Sequence, residues 1–130
     1  MNKILAALLL TSLPVAAIDS VVVFNEVHYH PAGDQSSLEY VELYNQLAAD
    51  VDLSNWKLDG DITFDFPEGT VLGGGDYLVI AKDPTSLAAA TGHSSALGPY
   101  DGVLSNSGKD LYLYKNNRSF STATAPPPTL

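Results

Sequence analysis

The chain contains no cysteine. Disulfides, thiolate zinc sites and cysteine nucleophiles are thereby excluded, and the fold must rest on core packing and hydrogen bonds. Basic residues are scarce too: six Lys and Arg stand against fifteen Asp and Glu, a net charge of −9 over 130 residues with a pI near 4.3. A surface that neutralises phosphates needs clustered cations, so this balance argues against nucleic acid as a partner. Beyond the first twenty residues no apolar run is long enough to span a bilayer. Charged residues make up only 16% and apolar residues 45%, which excludes wholesale disorder. The length fits one domain.

The opening MNKILAALLLTSLPVAAIDS reads as a secretory signal. Lys3 supplies the positive start, Ile4 to Leu10 the apolar stretch and Pro14 a helix break, and Val15 and Ala17 are the small residues before a cut after Ala17. Residues 1–17 are therefore expected to be removed on export, leaving no transmembrane anchor and a mature chain with five basic and fifteen acidic residues, −10. The expected location is extracellular, periplasmic or cell-surface.

From there the apolar spacing is mostly two, with β-branched and aromatic enrichment. The pattern predicts strands over 20–30, 38–45, 51–58, 62–66, 76–82, 103–104 and 110–116. In LEYVELYN, residues Leu38, Tyr40, Glu42 and Tyr44 share one face, and Glu39, Val41, Leu43 and Asn45 the other. The period breaks between Leu53 and Trp56, predicting a bulge or turn at Ser54–Asn55. Asp59-Gly60 signals a two-residue hairpin, Pro67 to Gly69 a turn, Gly73-Gly74-Gly75 a hairpin loop, Gly98 to Gly102 a loop and Ser107-Gly108 another turn. Asp83-Pro84 reads as the cap and first residue of a short helix through Ala90, closed by Gly92. Residues 118–130, with three consecutive prolines and no periodic pattern, are expected to form a disordered or truncated tail. The fold class expected is all-β, an antiparallel β-sandwich with one short helical turn; a small open barrel is the alternative.

Few residues suggest chemistry. Glu26, His28 and His30 alternate and would share a face of an unbulged strand, but nothing supplies a fixed fourth ligand, and no metal is assigned. Asp50, Asp52 and Ser54 have calcium-loop spacing, yet Asn55 and Asp61 occupy the positions where such a loop needs Gly and Glu, so they are expected to be solvated turn acids. The triple glycine leads into a strand with no GK[ST], which removes the phosphate-loop reading. No nucleophile elbow, HExxH or triad spacing occurs, and no catalytic residue or cofactor is assigned. Tyr112 and Tyr114 alternate with Leu111 and Leu113, so both are expected on the outer face of one strand, either as a partner contact or packed across strands on Tyr77 or Tyr40.

The blocks FNEVHYHP, EYVELYNQ, DVDLSNWKL, FDFPEGTVLGGGDYLVIAKDP and LSNSGKDLYLY, in this order and spacing over residues 22–115, resemble the lamin-tail domain family. The resemblance implies an immunoglobulin-like sandwich over residues 18–117 and a non-catalytic interaction or tethering module. The HYHPAGD and LSNSGKDLYL stretches resemble the bacterial, exported versions found beside spore-coat-protein-H-like kinase domains. It implies family-motif roles for Glu42, Asn45, Leu53, Trp56, Phe66, Pro67 and Gly69. Glu42 and Asn45 are read either as ligand contacts or as groups satisfying backbone at a strand end, and Trp56 as a core plug. Family members continue past LYLY into a further strand, which NNRSFSTATAPPPTL lacks, so the final edge strand is expected to be missing. The functional expectation is an exported module binding an unknown protein or glycan. The alternatives are the N-terminal part of a larger exported enzyme such as a kinase of that type, and a calcium-stabilised surface module. The nuclear role associated with lamins is not carried over, since the leading segment directs the chain outward.

Overall fold

The computed structural model describes residues 21–33 and 35–115; the proposed signal segment and the tail 118–130 lie outside them. Along the chain run β1 (Val22–His28), β2 (Tyr40–Asn45), β3 (Val51–Asp52), β4 (Lys57–Gly60), β5 (Ile62–Asp65), β6 (Val71–Leu72), β7 (Tyr77–Ala81), α1 (Pro84–Thr91), β8 (Asp101–Gly102) and β9 (Leu111–Tyr114). All strand pairs are antiparallel, in a three-stranded sheet ordered β1-β2-β7, a four-stranded sheet ordered β8-β5-β4-β9 and a β3-β6 ribbon.

The alternation in β2 places Val41, Leu43 and Asn45 inward, all fully buried, as the period of two requires. From the same sheet Val22 and Ile80 join them, and from the four-stranded sheet Leu58, Ile62, Leu111 and Leu113. These inner faces form one core with Leu53, Trp56, Phe66, Leu72 and Tyr100, which makes the architecture a sandwich, as expected from the sequence.

Helix α1 forms where its end signals stand. The Asp83 carboxylate accepts from the Thr85 and Ser86 amides, Pro84 opens the first turn, and Gly92 closes the helix in the left-handed conformation at φ 79°. These hydrogen bonds, led by the Ser86 hydroxyl, hold the Asp83 pKa below the usual carboxylate value. Leu87 turns inward onto Val79 and Ala81, so α1 covers one end of the outer face of the three-stranded sheet.

Two turn assignments and one strand assignment are corrected. Asp59 and Gly60 belong to β4, where they pair with Tyr112 and Leu111, and the chain reverses at Asp61. The expected hairpin into β5 does form, with Leu58 opposite Phe64, but its reversal is shifted from Asp59-Gly60 to Asp61 because β9 pairs with Asp59 and Gly60. The triple glycine is no hairpin loop: β6 pairs with β3 whereas β7 pairs with β2, so this turn carries the chain between sheets. The short strand expected at 103–104 lies at Asp101–Gly102 instead, paired with Thr63 and Ile62. Ser54–Asn55 does form the expected turn, with Asn55 at φ 61°.

Candidate functional site

Five of the family-motif residues meet in one structural knot. Leu53, Trp56 and Phe66 are buried in the core. The Phe66 amide donates to the Trp56 carbonyl at 2.9 Å and the Trp56 amide to Leu53 at 3.0 Å. Thr70 donates from its amide and its hydroxyl to the Pro67 carbonyl, and the Gly69 amide donates to Ser54 Oγ at 2.8 Å. The hydrogen bonds named here run within the knot itself, which gives these residues a structural part.

Asn45 takes the second of its two readings. Fully buried, its Nδ2 lies 2.9–3.1 Å from the carbonyls of Ala49, Leu72 and Gly73, and its Oδ1 accepts from the Leu47 amide at 2.9 Å. It pins the end of β2 to the turn before β7. Glu42 is different. It projects from the outer face of β2, where its Oε1 accepts from Asn25 Nδ2 at 2.6 Å.

Tyr112 and Tyr114 stand on the outer face of β9, with Leu111 and Leu113 buried beneath. They lie against each other, ring centroids 6.3 Å apart, and the Tyr112 hydroxyl donates to Asp110 at 3.0 Å. The alternative packing on Tyr77 or Tyr40 is excluded, because those rings belong to the other sheet. Among the described residues β9 pairs only with β4 and forms that sheet's edge.

Glu26 and His28 share the outer face of β1, whereas His30 lies beyond the end of the strand in the left-handed conformation and leaves that face. Asp50 accepts from the Gly74 amide and Asp52 from the Ser54 amide, which makes them turn acids. Among the described residues no three His, Asp or Glu groups gather as a metal would require.

A site that the sequence did not disclose is buried at the start of β2. Glu39 is 4% exposed; its Oε2 accepts from the Tyr100 hydroxyl at 3.2 Å and the Leu104 amide at 3.1 Å. Burial chiefly, then the Glu39 charge and hydrogen bond, push the Tyr100 phenol well up from its ordinary value. The signal was present: Glu39 stands in phase with Val41 and Leu43. Its partners lie more than sixty residues away, beyond reach of any local pattern.

The outer face of the three-stranded sheet is the most chemically dressed surface. Register places Val23, Tyr44 and Tyr77 in one row, Glu26, Glu42 and Val79 in the next, and His28, Tyr40 and Ala81 in a third. Tyr44 and Tyr77 stack with centroids 4.7 Å apart, and His28 and Tyr40 stack at 4.9 Å. Tyr77 is 57% exposed, on the half of the face that α1 leaves open. Glu26 and Glu42 are direct cross-strand partners, and Glu26 Oε1 accepts from the Tyr40 hydroxyl at 2.9 Å. Burial first, then the hydrogen bond and charge of Glu26 and the charge of Glu42, push the Tyr40 phenol up to about 12. A 190 Å³ depression lined by Tyr40, Glu42, Val79, Leu87, Thr91 and His93 opens between this row and α1. Flat rings beside carboxylates suit contact with a partner; none of these groups forms a nucleophile–base pair.

A family model described as Lamin Tail Domain matches residues 16–125. Comparison with curated proteins and with solved structures returns no match.

Proposed function

The chain belongs to the lamin tail domain family, an immunoglobulin-like domain family not known for catalysis, and from that premise we propose that it is an exported, non-catalytic binding or tethering module. The carrying observation is the open half of the β1-β2-β7 outer face, where the Tyr44–Tyr77 stack adjoins the Glu26–Glu42 pair. Aromatic rings and partly exposed carboxylates on a rigid sheet recognise a partner without transforming it. The leading segment, with its apolar run and its small residues before Ile18, supports a partner outside the cytoplasm.

The test is the native product recovered from culture medium or cell envelope. Its N-terminal sequence is expected to begin at Ile18, and the purified product is expected to show no turnover in hydrolase, phosphatase and kinase assays. Recovery from the cytoplasm with Met1 retained overturns export, and measurable turnover overturns the binding-module reading.

A further inference from the structure

We propose that the open outer face of the β1-β2-β7 sheet docks an arginine-bearing peptide segment, one guanidinium bridging Glu26 and Glu42 and lying against the neighbouring tyrosine rings. The proposal rests on the binding-module reading and gives its partner a chemistry.

Two like charges placed directly opposite across strands destabilise a sheet unless something neutralises them. Here nothing within the described residues does. Lys57 lies 3.8 Å from Asp59 and Lys109 3.8 Å from Asp61, Lys82 donates to the Gly102 carbonyl, and Lys115 sits over Trp56. The four lysines among the described residues are thus engaged away from the pair. The neutral donors present, Asn25 and Tyr40, each engage one oxygen of one carboxylate. Among the described residues the second oxygen of each accepts no hydrogen bond.

The shape of the missing cation follows from the surroundings. Tyr40 and Tyr44 flank Glu42 on the same face of β2, each about 7 Å along the strand, and each ring is backed by a stacking partner, His28 or Tyr77. A guanidinium is planar, presents donors in a fork that two carboxylates can share, and stacks on aromatic faces; an ammonium is a compact tetrahedral charge with neither the rigid fork nor a flat face to stack. The 190 Å³ depression on the other side of Glu42, between β7 and α1, leaves room for a neighbouring side chain of the same segment. The occupant is a peptide rather than free arginine, because the Tyr44–Tyr77 stack extends the surface beyond one side chain.

The test titrates the full-length chain with a labelled synthetic peptide alternating Gly and Arg. Versions carrying Lys or the neutral isostere citrulline serve as comparisons. The Arg peptide is expected to bind, the Lys peptide more weakly and the citrulline peptide not measurably. Glu26→Gln with Glu42→Gln is expected to weaken binding by about tenfold or more, with an unchanged or higher Tm that shows the fold intact. Asp65→Asn with Glu68→Gln removes the same charge elsewhere on the surface and is expected to leave affinity within about twofold. Equal loss in both double variants, equal binding of the citrulline peptide, or no binding of the Arg peptide overturns the proposal. Glycan binding that Tyr77→Ala abolishes, without Arg-peptide binding, also overturns it while leaving the binding-module reading intact. Only turnover by the product strikes that reading.

Discussion

Single side chains decide how β2 is held at both ends. At its C-terminal end the Asn45 amide serves the carbonyls of Ala49, Leu72 and Gly73 together. Asn45→Leu keeps the branched shape and heavy-atom count and removes the donor, leaving these acceptors without it at about 1–3 kcal/mol for each one left unsatisfied. A loss on the order of 3 kcal/mol is expected in urea unfolding, large against the whole stability of a domain this size. At the N-terminal end Tyr100 sits over Glu39. Its pKa is raised in the fold above the ordinary value of 10.0, so the neutral phenol is the form the fold favours. Its contribution is complete below pH 10 and is lost as pH climbs from there toward the folded value, because the unfolded chain ionises first. Urea midpoints should therefore be flat from pH 7 to 9 and fall above 10. Tyr100→Phe should remove about 1.4 kcal/mol per pH unit from that fall. Part of the slope should survive, since the Tyr40 and Tyr112 phenols are raised as well.

At the level of elements, β4 depends on a residue without a side chain. Gly60 sits at φ +110°, and a Cβ there would stand 2.1 Å from the Asp110 carbonyl oxygen. Gly60→Ala should loosen the β4–β9 pairing and cost more than about 1 kcal/mol. Faster hydrogen exchange at the Tyr112 and Tyr114 amides, which the register turns toward β4, with those of β1 unchanged, would locate the damage. In α1 the anchor is Leu87, the helix's only buried residue, and Leu87→Ala should cost about 2–5 kcal/mol and uncover Val79. These elements also show what was legible in the sequence. The alternation of β2 was readable because each buried position is a local choice between two faces, and α1 was readable from Asp83, Pro84 and Gly92. Which sheet receives β7 was not readable: the triple glycine specifies a turn, while the pairing partner is set by β2, more than thirty residues upstream. The Glu26–Glu42 pairing was hidden for a related reason. It depends on the bulge between Phe24 and Glu26, and a one-residue change of register would send Glu26 to the other face.

For the whole molecule, the charge that argued against nucleic acid also acts on stability. The net charge is −9, and the ion pairs of the described residues do little to offset it. Lys57–Asp59 spans 3.8 Å between side chains 46% and 40% exposed, a geometry worth almost nothing, and Lys109–Asp61 is equally long. Repulsion between carboxylates is therefore the larger long-range effect, and folding concentrates it by compacting the chain. Raising ionic strength from about 10 to 150 mM shortens the screening length from about 30 to about 8 Å. It should therefore stabilise the fold by an amount on the order of 1 kcal/mol, or about 4–8 °C in Tm for a domain of this size. The Glu26–Glu42 pair is a concentrated part of that repulsion, so Glu26→Gln with Glu42→Gln should raise Tm at low salt and flatten its rise with salt. A Tm that falls as salt is added would mean that attractive pairs outweigh the repulsion. A Glu26→Gln, Glu42→Gln variant whose Tm rises with salt as steeply as the parent's would mean that this pair adds no local excess of charge to draw a cationic partner.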